Sequence, residues 1–314
     1  MNSGSAIFRA RGIGAKTSDF LFARKRLLTV LLLALPLGWI VFAYLASLLV
    51  FLSHVFFSVD EFSGVIRYEL TTSTLLELVR SAANLDIVAR TVSMAAAVTL
   101  FDMLLAFALA YYMRRQRSEK MRAVLYLAVM MPLWSSYLVR VYAWKLLLAK
   151  EGAIVWATER LGLGGVLDAV LAVPMIGGPS LSISYLGMFL VFSYIWLPFM
   201  VLPVHAALER VPDSLLEASA DLGGGEGKTV RHVVLPLALP GLIAGSIFTF
   251  SLTLGDYIIP YIIGNSRFFI GQAVYVQQGT AGNIPLAAAF TLIPIIIMAL
   301  YLFVAKRLGA FQAL

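Results

Sequence analysis

Val211-Pro-Asp-Ser-Leu-Leu-Glu-Ala-Ser-Ala-Asp-Leu-Gly-Gly-Gly225 is the stretch on which the reading of this chain turns. Pro212 and Asp213 are helix-start signals, Ser214 with Glu217 three residues on reads as a capping box, and Gly223 supplies a left-handed stop. A helix of about nine residues is expected, too short to be stable alone in water. It therefore has to pack against something. Leu215, Leu216, Ala218, Ala220 and Leu222 offer apolar surface to a partner or to the rest of the chain.

The sequence on both sides of this segment is of another kind. Of 314 residues, 61% are apolar and 13% charged, where a soluble domain carries about 45–50% and about 25%. This composition is that of a membrane protein. The net charge of +7 falls in short loops between apolar runs, so it reads as membrane orientation and not as a nucleic-acid surface. The absence of cysteine removes thiolate chemistry, cysteine-ligated zinc and disulfides.

Six apolar stretches reach the roughly 20 residues a spanning helix needs: 27–57, 92–113, 123–146, 182–204, 237–263 and 285–305. The first follows Arg24-Lys25-Arg26 and is too long for a secretory signal, so it reads as an uncleaved anchor. With the N-terminus inside, sixteen Lys and Arg fall on the cytoplasmic side and far fewer outside (among them Arg67, Arg80, Lys150, Arg160 and Arg267), which puts both termini in the cytoplasm. The expected layout is a cytoplasmic tail (1–26), a first span (27–57), a periplasmic loop (58–91), a core of five spans (92–307) with a cytoplasmic loop (205–236), and a cytoplasmic end (308–314). A seventh span at 161–176 is discounted as short, glycine-rich and interrupted by Asp168, leaving 149–181 as an outer loop. Pro36, Pro132, Pro198, Pro203 and Pro294 fall in or at the ends of spans, where they kink helices or serve ordinary packing.

Gly223-Gly-Gly-Glu-Gly-Lys-Thr229 imitates a phosphate-binding P-loop, but the required first glycine is Leu222 and the segment follows a helix. Nucleotide binding by this chain is not expected. His54, His205 and His232 have no mutual spacing for a metal and sit near membrane edges; no serine–histidine–acid grouping can be argued. No internal repeat is visible, which disfavours an ion-coupled secondary transporter.

Glu217-Ala218-Ser219, three residues, Gly223, nine residues, then Val233-Val234-Leu235-Pro236 resembles the EAA signature of binding-protein-dependent ABC importer permeases, EAA-x3-G-x9-I-x-LP. Ser219 stands for the second alanine and Val233 for isoleucine. Met131-Pro-Leu-Trp-Ser-Ser-Tyr-Leu-Val-Arg-Val-Tyr-Ala-Trp144 and Trp196-Leu-Pro-Phe-Met-Val-Leu-Pro203 are similar to segments of the spermidine/putrescine permease subfamily. The likeness covers roughly 92–307; Ala106-Phe107-Ala108 departs from that family's Gly-Tyr-Pro stretch. It implies an all-α type I (MetI-like) permease fold with six transmembrane helices in a bacterial inner membrane. It also implies a coupling loop in which Glu217, Ala218, Ser219, Gly223, Leu235 and Pro236 engage an ATPase. The implied partners are two ATPase subunits, which hold ATP and Mg, a second permease subunit, a periplasmic solute-binding protein and the bilayer. This chain would hold no cofactor and perform no bond chemistry.

Carboxylates inside a bilayer cost about 2.5–3.5 kcal/mol at mid-helix on insertion scales and are functional candidates. Asp102 falls near mid-depth of the second span and Asp256 late in the fifth, after helix-weakening Gly255. A polyamine path would combine separated carboxylates with aromatic faces; Trp134, Tyr137, Tyr257 and Tyr261 are placed to supply them near Asp256, or to belt the interface. Asp102 is equally explained by a bond to a neighbouring helix. Arg140 and Lys145 are expected to snorkel to the headgroups and stay out of the path. Import of putrescine or spermidine is the expected activity. Another small polar solute, such as an aminophosphonate, is the alternative within the family.

Overall fold

The computed structural model describes residues 25–60, 62–265 and 267–307. The chain divides into two compact units, Met1–His54 and Val55–Leu314. In the first, α1 (Lys25–Trp39) runs through a π-helical stretch (Ile40–Ala46) into α2 (Ser47–Ser53). No residue of the π stretch or α2 is buried. Residues 308–314 and all but the last two of the expected tail lie outside the described residues.

The second unit opens on a hairpin, β1 (Ser58–Val59) antiparallel to β2 (Ile66–Arg67). Asp60 accepts hydrogen bonds from the Ser63 and Phe62 amides at 2.9 Å and pairs with Arg67. The two amides first, and then the guanidinium, hold its carboxyl below the usual carboxylate range. Next come α3 (Ser73–Arg80) and α4 (Ala82–Arg115), then α5 (Glu119–Met130) and α6 (Tyr137–Leu147). The short helices α7 (Ala153–Arg160) and α8 (Gly164–Leu171) precede α9 (Tyr185–Glu209) and α10 (Asp213–Asp221). One turn, α11 (Glu226–Thr229), leads through a π stretch (Val230–Val234) into α12 (Leu235–Gly255). The chain closes with α13 (Ile258–Ile262), α14 (Ile270–Gln278) and α15 (Ile284–Arg307).

Among the described residues, five helices are long and apolar enough to span a membrane, and a sixth span arises only if a bent pair counts as one. That pair corrects the continuous third span expected over 123–146. α5 with its 3₁₀ extension Met131–Trp134 meets α6 at 98°. Pro132 has no amide to donate, and Ser135 and Ser136 are extended (ψ 153° and 136°). The fifth span also stops short: α12 ends at Gly255, Asp256 is extended (ψ 134°), and α13 follows as a separate element. The second span is longer than 92–113, because Ser81 caps α4 from its side chain to the Asn84 amide and no glycine or proline interrupts the next 34 residues. The discounted seventh span contains only the eight-residue α8.

α9 is the central helix, packed against α4 and α12. Apolar helices gain little from the hydrophobic effect in lipid, so close approach of small residues has to hold them together. Ala106 and Ala110, one turn apart on α4, are fully buried with Met200, Val201 and Val204 of α9. The departure at Ala106 thus gives the close packing that small side chains allow. On α12, a Cβ at Gly241 would lie 2.5 Å from both the Pro203 carbonyl oxygen and the Ala207 methyl, and one at Gly245 would lie 2.6 Å from Met200 Sδ. A second apolar cluster fills the other half of the bundle, with Met94 and Val98 of α4 against Phe192 and Ile195 of α9 and Ile259 of α13. α15 is tied to α12 by the Tyr301 hydroxyl donating to Ser246 Oγ at 2.7 Å.

Gly241→Leu should force α9 from α12 at a cost of about 1–3 kcal/mol and lower the melting temperature of the purified chain. Gly165→Ala, where a Cβ meets nothing within 4 Å, should leave it unchanged. Equal melting of both variants would contradict the close approach.

Candidate functional site

At one end of the bundle, α10 is the expected nine-residue helix. Its cap differs from the expected box: Pro212 is the N-cap residue, with no side-chain cap, so Ser214 already lies inside the first turn. Proline's fixed φ starts the helix, and Asp213 places an acid against the positive end of its dipole. The stop is as read from the sequence. Gly223 has φ +74°, and its amide donates to the Ala220 carbonyl at 2.9 Å. Gly224 is required for space, since a Cβ there would lie 2.6 Å from the Ser219 carbonyl oxygen.

α10 presents two sides. Leu216 and Ser219 are half-buried toward the bundle, and Ser219 Oγ lies 2.8 Å from Thr229 Oγ1 of α11, so the departure from alanine ties the two helices together. On the other side Leu215, Glu217, Ala218 and Leu222 are exposed, Leu222 at 90%. Glu217 makes no ion pair among the described residues. Leu235 and Pro236 are exposed on the first turn of α12, a separate element from α10.

Two arginines that the sequence reading used only for orientation hold this loop. Arg114 Nη2 donates to the Val211 carbonyl at 2.6 Å and to Asp213 Oδ1 at 2.9 Å, and Arg115 Nη2 donates to Glu226 Oε1 at 2.7 Å. Nothing in their spacing distinguishes them from basic residues that only mark a membrane edge.

At the other end, the Tyr137 hydroxyl donates to Asp256 Oδ2. Asp256 Oδ1 accepts from the amides of Ile258 at 2.7 Å and Ile259 at 3.1 Å, so this carboxylate starts α13. Tyr137 stacks on buried Trp196 with centroids 5.6 Å apart. Tyr257 stacks on Tyr275 at 5.1 Å and Tyr261 meets the same ring edge-on at 6.3 Å; Tyr275 was not anticipated. Beside them is a cavity of 380 Å³ lined by Gly255, Tyr257, Tyr275, Gln278 and Thr291. Trp134 is 78% exposed and shares no described contact with Asp256.

Asp102 is not brought to this group. It is fully buried on α4 beside the Ser193 hydroxyl of α9, which interacts with its carboxyl, although neither oxygen has a close hydrogen-bond partner among the described residues. Ser193 Oγ, Trp196 Nε1 and Thr249 Oγ1 are likewise buried on α9 and α12 without close hydrogen-bond partners among the described residues. Arg140 is half-buried, with Nε and Nη1 lacking partners among the described residues and its charge close enough to act on Tyr137, whereas Lys145 is exposed. His205, near the end of α9, is buried with Nε2 3.3 Å from Glu209 Oε1. Among the described residues no group of three or more His, Cys, Asp or Glu is placed to hold a metal ion.

The family model described as binding-protein-dependent transport system inner membrane component matches residues 10–312. The chain is 55% identical over 303 residues to the inner membrane ABC transporter permease protein YdcU of Escherichia coli, covering 96% of each. It is 28% identical over 272 residues to the spermidine/putrescine transport system permease protein PotB of the same organism, covering 86% of this chain and 94% of that one. A chain of a bacterial alginate ABC transporter, crystallised with an alginate pentasaccharide-bound periplasmic protein, superposes with a TM-score of 0.70 at 13% identity, over 92% of this chain and 96% of that one. That last likeness concerns the fold alone.

Gly224→Ala should break the α10–α11 junction and speed amide hydrogen exchange over residues 218–229 by about tenfold, as expected for local overpacking of about 1–3 kcal/mol. Gly227→Ala, with open space at its Cβ, is the control. Equal exchange in the two variants would show that Gly224 is not needed for space.

Proposed function

The chain belongs to the family of binding-protein-dependent transport system inner membrane components and is a multi-pass permease subunit of an ABC importer, and from that premise we propose that it carries polyamines, putrescine or spermidine, into the cytoplasm. The observation that carries the coupling part of this reading is the two-sidedness of α10. A helix of nine residues that gives only Leu216 and Ser219 to its own bundle leaves Leu215, Ala218 and Leu222 as an apolar stripe with Glu217 beside it. That stripe suits a groove in an ATP-binding subunit. ATP and Mg belong to two such partners, a second permease subunit completes the path, and a periplasmic protein delivers the solute.

In this reading the α10 end and both termini face the cytoplasm, and the α13 end faces the periplasm. Closure of the ATPase dimer shifts α10 and with it the helices, so that the path opens alternately to each side. Gly223 turns the chain where only a residue tolerant of positive φ fits without strain. Ser219 fastens α10 to α11 through Thr229, and Leu235-Pro236 start the span that the loop drives.

Support for a cationic solute comes from the Asp256 group and from the likeness to PotB. One oxygen of Asp256 is held by two backbone amides, and the other, among the described residues, by Tyr137 alone. An ammonium group can therefore replace the tyrosine hydroxyl without undoing α13. Tyr257, Tyr275 and Tyr261 offer ring faces worth about 0.5–2 kcal/mol each to a cation, and the adjoining cavity accepts a methylene chain. Asp102, with Ser193, Trp196 and Thr249, supplies polar atoms without close hydrogen-bond partners deeper in the bundle, which a passing ammonium or water would satisfy.

The experiment is uptake of putrescine and spermidine by the assembled transporter in proteoliposomes, with its binding protein. Asp256→Asn should raise the concentration of solute needed for half-maximal uptake about tenfold or more, while ATP hydrolysis continues. Unchanged uptake would remove the carboxylate contact. Gly223→Val, which puts a β-branched residue at positive φ, should abolish uptake while the chain remains inserted. Normal uptake in that variant would count against the coupling loop.

A further inference from the structure

We propose that α4 is a push rod, tied at one end by Arg114 to the start of α10 and by Arg115 to α11, and at the other to the segment against Asp256, so that movement at the ATPase reaches the solute site through this helix. The inference rests on the reading that α10 docks on an ATPase. It adds a route that chain connectivity does not provide, since the loop is joined covalently only to α9 and α12.

The near tie is directional. Arg114 grips the leading end of the loop at Val211 and Asp213, and Arg115 grips the trailing end at Glu226. Successive helical residues project about 100° apart, so two neighbours on α4 hold the loop from two directions. Behind α10 lies a cavity of 310 Å³ lined by Tyr111, Arg114, Asp213, Leu216, Gly224 and Glu226. The helix is not close-packed there, so the arginines share its attachment with Leu216, which packs on the bundle, and with Ser219. Of the two arginines Arg114 carries more: its side chain is 12% exposed and it bonds a backbone carbonyl as well as Asp213. The exposed Arg115–Glu226 pair contributes less.

The rod itself is set apart by stiffness. α9 contains Pro198 and Pro203, α12 contains Pro240, α15 contains Pro294, and the first span contains Pro36. α4 has neither proline nor glycine from Ala82 to Arg115. Each proline removes a ladder hydrogen bond and lets its helix bend, whereas α4 transmits displacement along its axis.

At the far end, about 35 Å from Arg114 at 1.5 Å per residue, Thr91 Oγ1 accepts the Ile270 amide at 3.0 Å in a buried contact, and Arg90 Nη1 donates to the Phe268 carbonyl at 2.8 Å. The next residue, Gly271, lies so close to Asp256 that a Cβ would be 2.6 Å from the Asp256 carbonyl oxygen. A continuous line of fixed contacts thus runs from α10 through Arg114, α4 and Thr91 to the backbone of Asp256. Arg114 and Arg115 are positioning residues in this line; neither touches solute or nucleotide.

The test uses the complete transporter in proteoliposomes, reading ATP hydrolysis, solute uptake and the labelling of a reporter thiol. Because the chain has no cysteine, Ser93→Cys near the far end of α4 gives a single maleimide site in this chain, read from its own band after the subunits are separated. In otherwise wild-type protein its labelling rate should change when ATP is added. Arg114→Ala should lower solute delivered per ATP about tenfold, within the range of coupling energies carried by such contacts, and abolish the ATP dependence of labelling; Arg114→Lys should restore part of both. Arg115→Glu and Glu226→Arg should each lower the ratio, and the two together should restore it.

An unchanged ratio in Arg114→Ala, or labelling that still responds to ATP, overturns the proposal. Should Arg114→Ala fail to assemble, the charge-reversed pair decides: no recovery in the double variant overturns it. Crosslinking from Leu222 to the ATPase in the wild-type assembly keeps the premise separate. Without that crosslink the docking reading fails; with it and an unchanged ratio, only the rod fails.

Discussion

In hydrocarbon a backbone amide or carbonyl without a partner costs several kcal/mol, and this constraint shapes the whole chain. Nearly every described residue at membrane depth is therefore helical, and each departure carries its own replacement bonds. At Ser135 the amide and the hydroxyl both turn back to the Pro132 carbonyl, at 3.3 and 3.0 Å. At Asp256 the side chain takes the two amides that α12 can no longer serve. The broken third span and the interrupted fifth span meet through Tyr137 and Asp256, so the two breaks are parts of one feature. A carboxylate that is costly in lipid is kept where it replaces missing helix bonds and remains open to exchange on one oxygen.

The second constraint is mechanical. Helices that must move against one another cannot be held by bulky interlocking side chains alone, and the α9–α12 contact is built on Gly241 and Gly245 against Pro203 and Met200. Those two helices also contain prolines, which let a helix bend. α4 is straight in composition, joined to the loop by charge-assisted hydrogen bonds at one end and to Ile270 by a buried bond at the other. The division of labour between jointed and stiff helices follows from where proline and glycine fall.

Much of the architecture was legible from residues. The nine-residue α10, the positive φ at Gly223 and the sixth expected span all lie close to their expected places, because apolar length and glycine's tolerance of positive φ are local properties. The bend at Ser135 was not legible: proline inside a membrane helix is often tolerated as a mild kink, and nothing local says when the two halves will turn by 98°. The capping box failed for a local reason that competed with another local one, since Pro212 caps the helix two residues before Ser214 could. Of the proposed path residues, Tyr137 and Asp256 meet and Tyr257 and Tyr261 share Tyr275, while Trp134 and Asp102 stand apart. Shared residue type predicted their company; only packing could sort them.

The sequence by itself determined that the chain is a membrane-embedded helical protein with a short helix in the loop before its fifth span. Apolar run length, charge distribution and the Glu217-to-Pro236 spacing are all read along the chain. Which side chains close the loop, whether Asp256 is free or bound, and which helix is tied to which were decided by tertiary structure. Those facts depend on contacts between residues about a hundred positions apart or more, such as Arg114 with Asp213 and Tyr137 with Asp256. Local propensity carries no information about such pairs, because their formation depends on how whole helices approach one another.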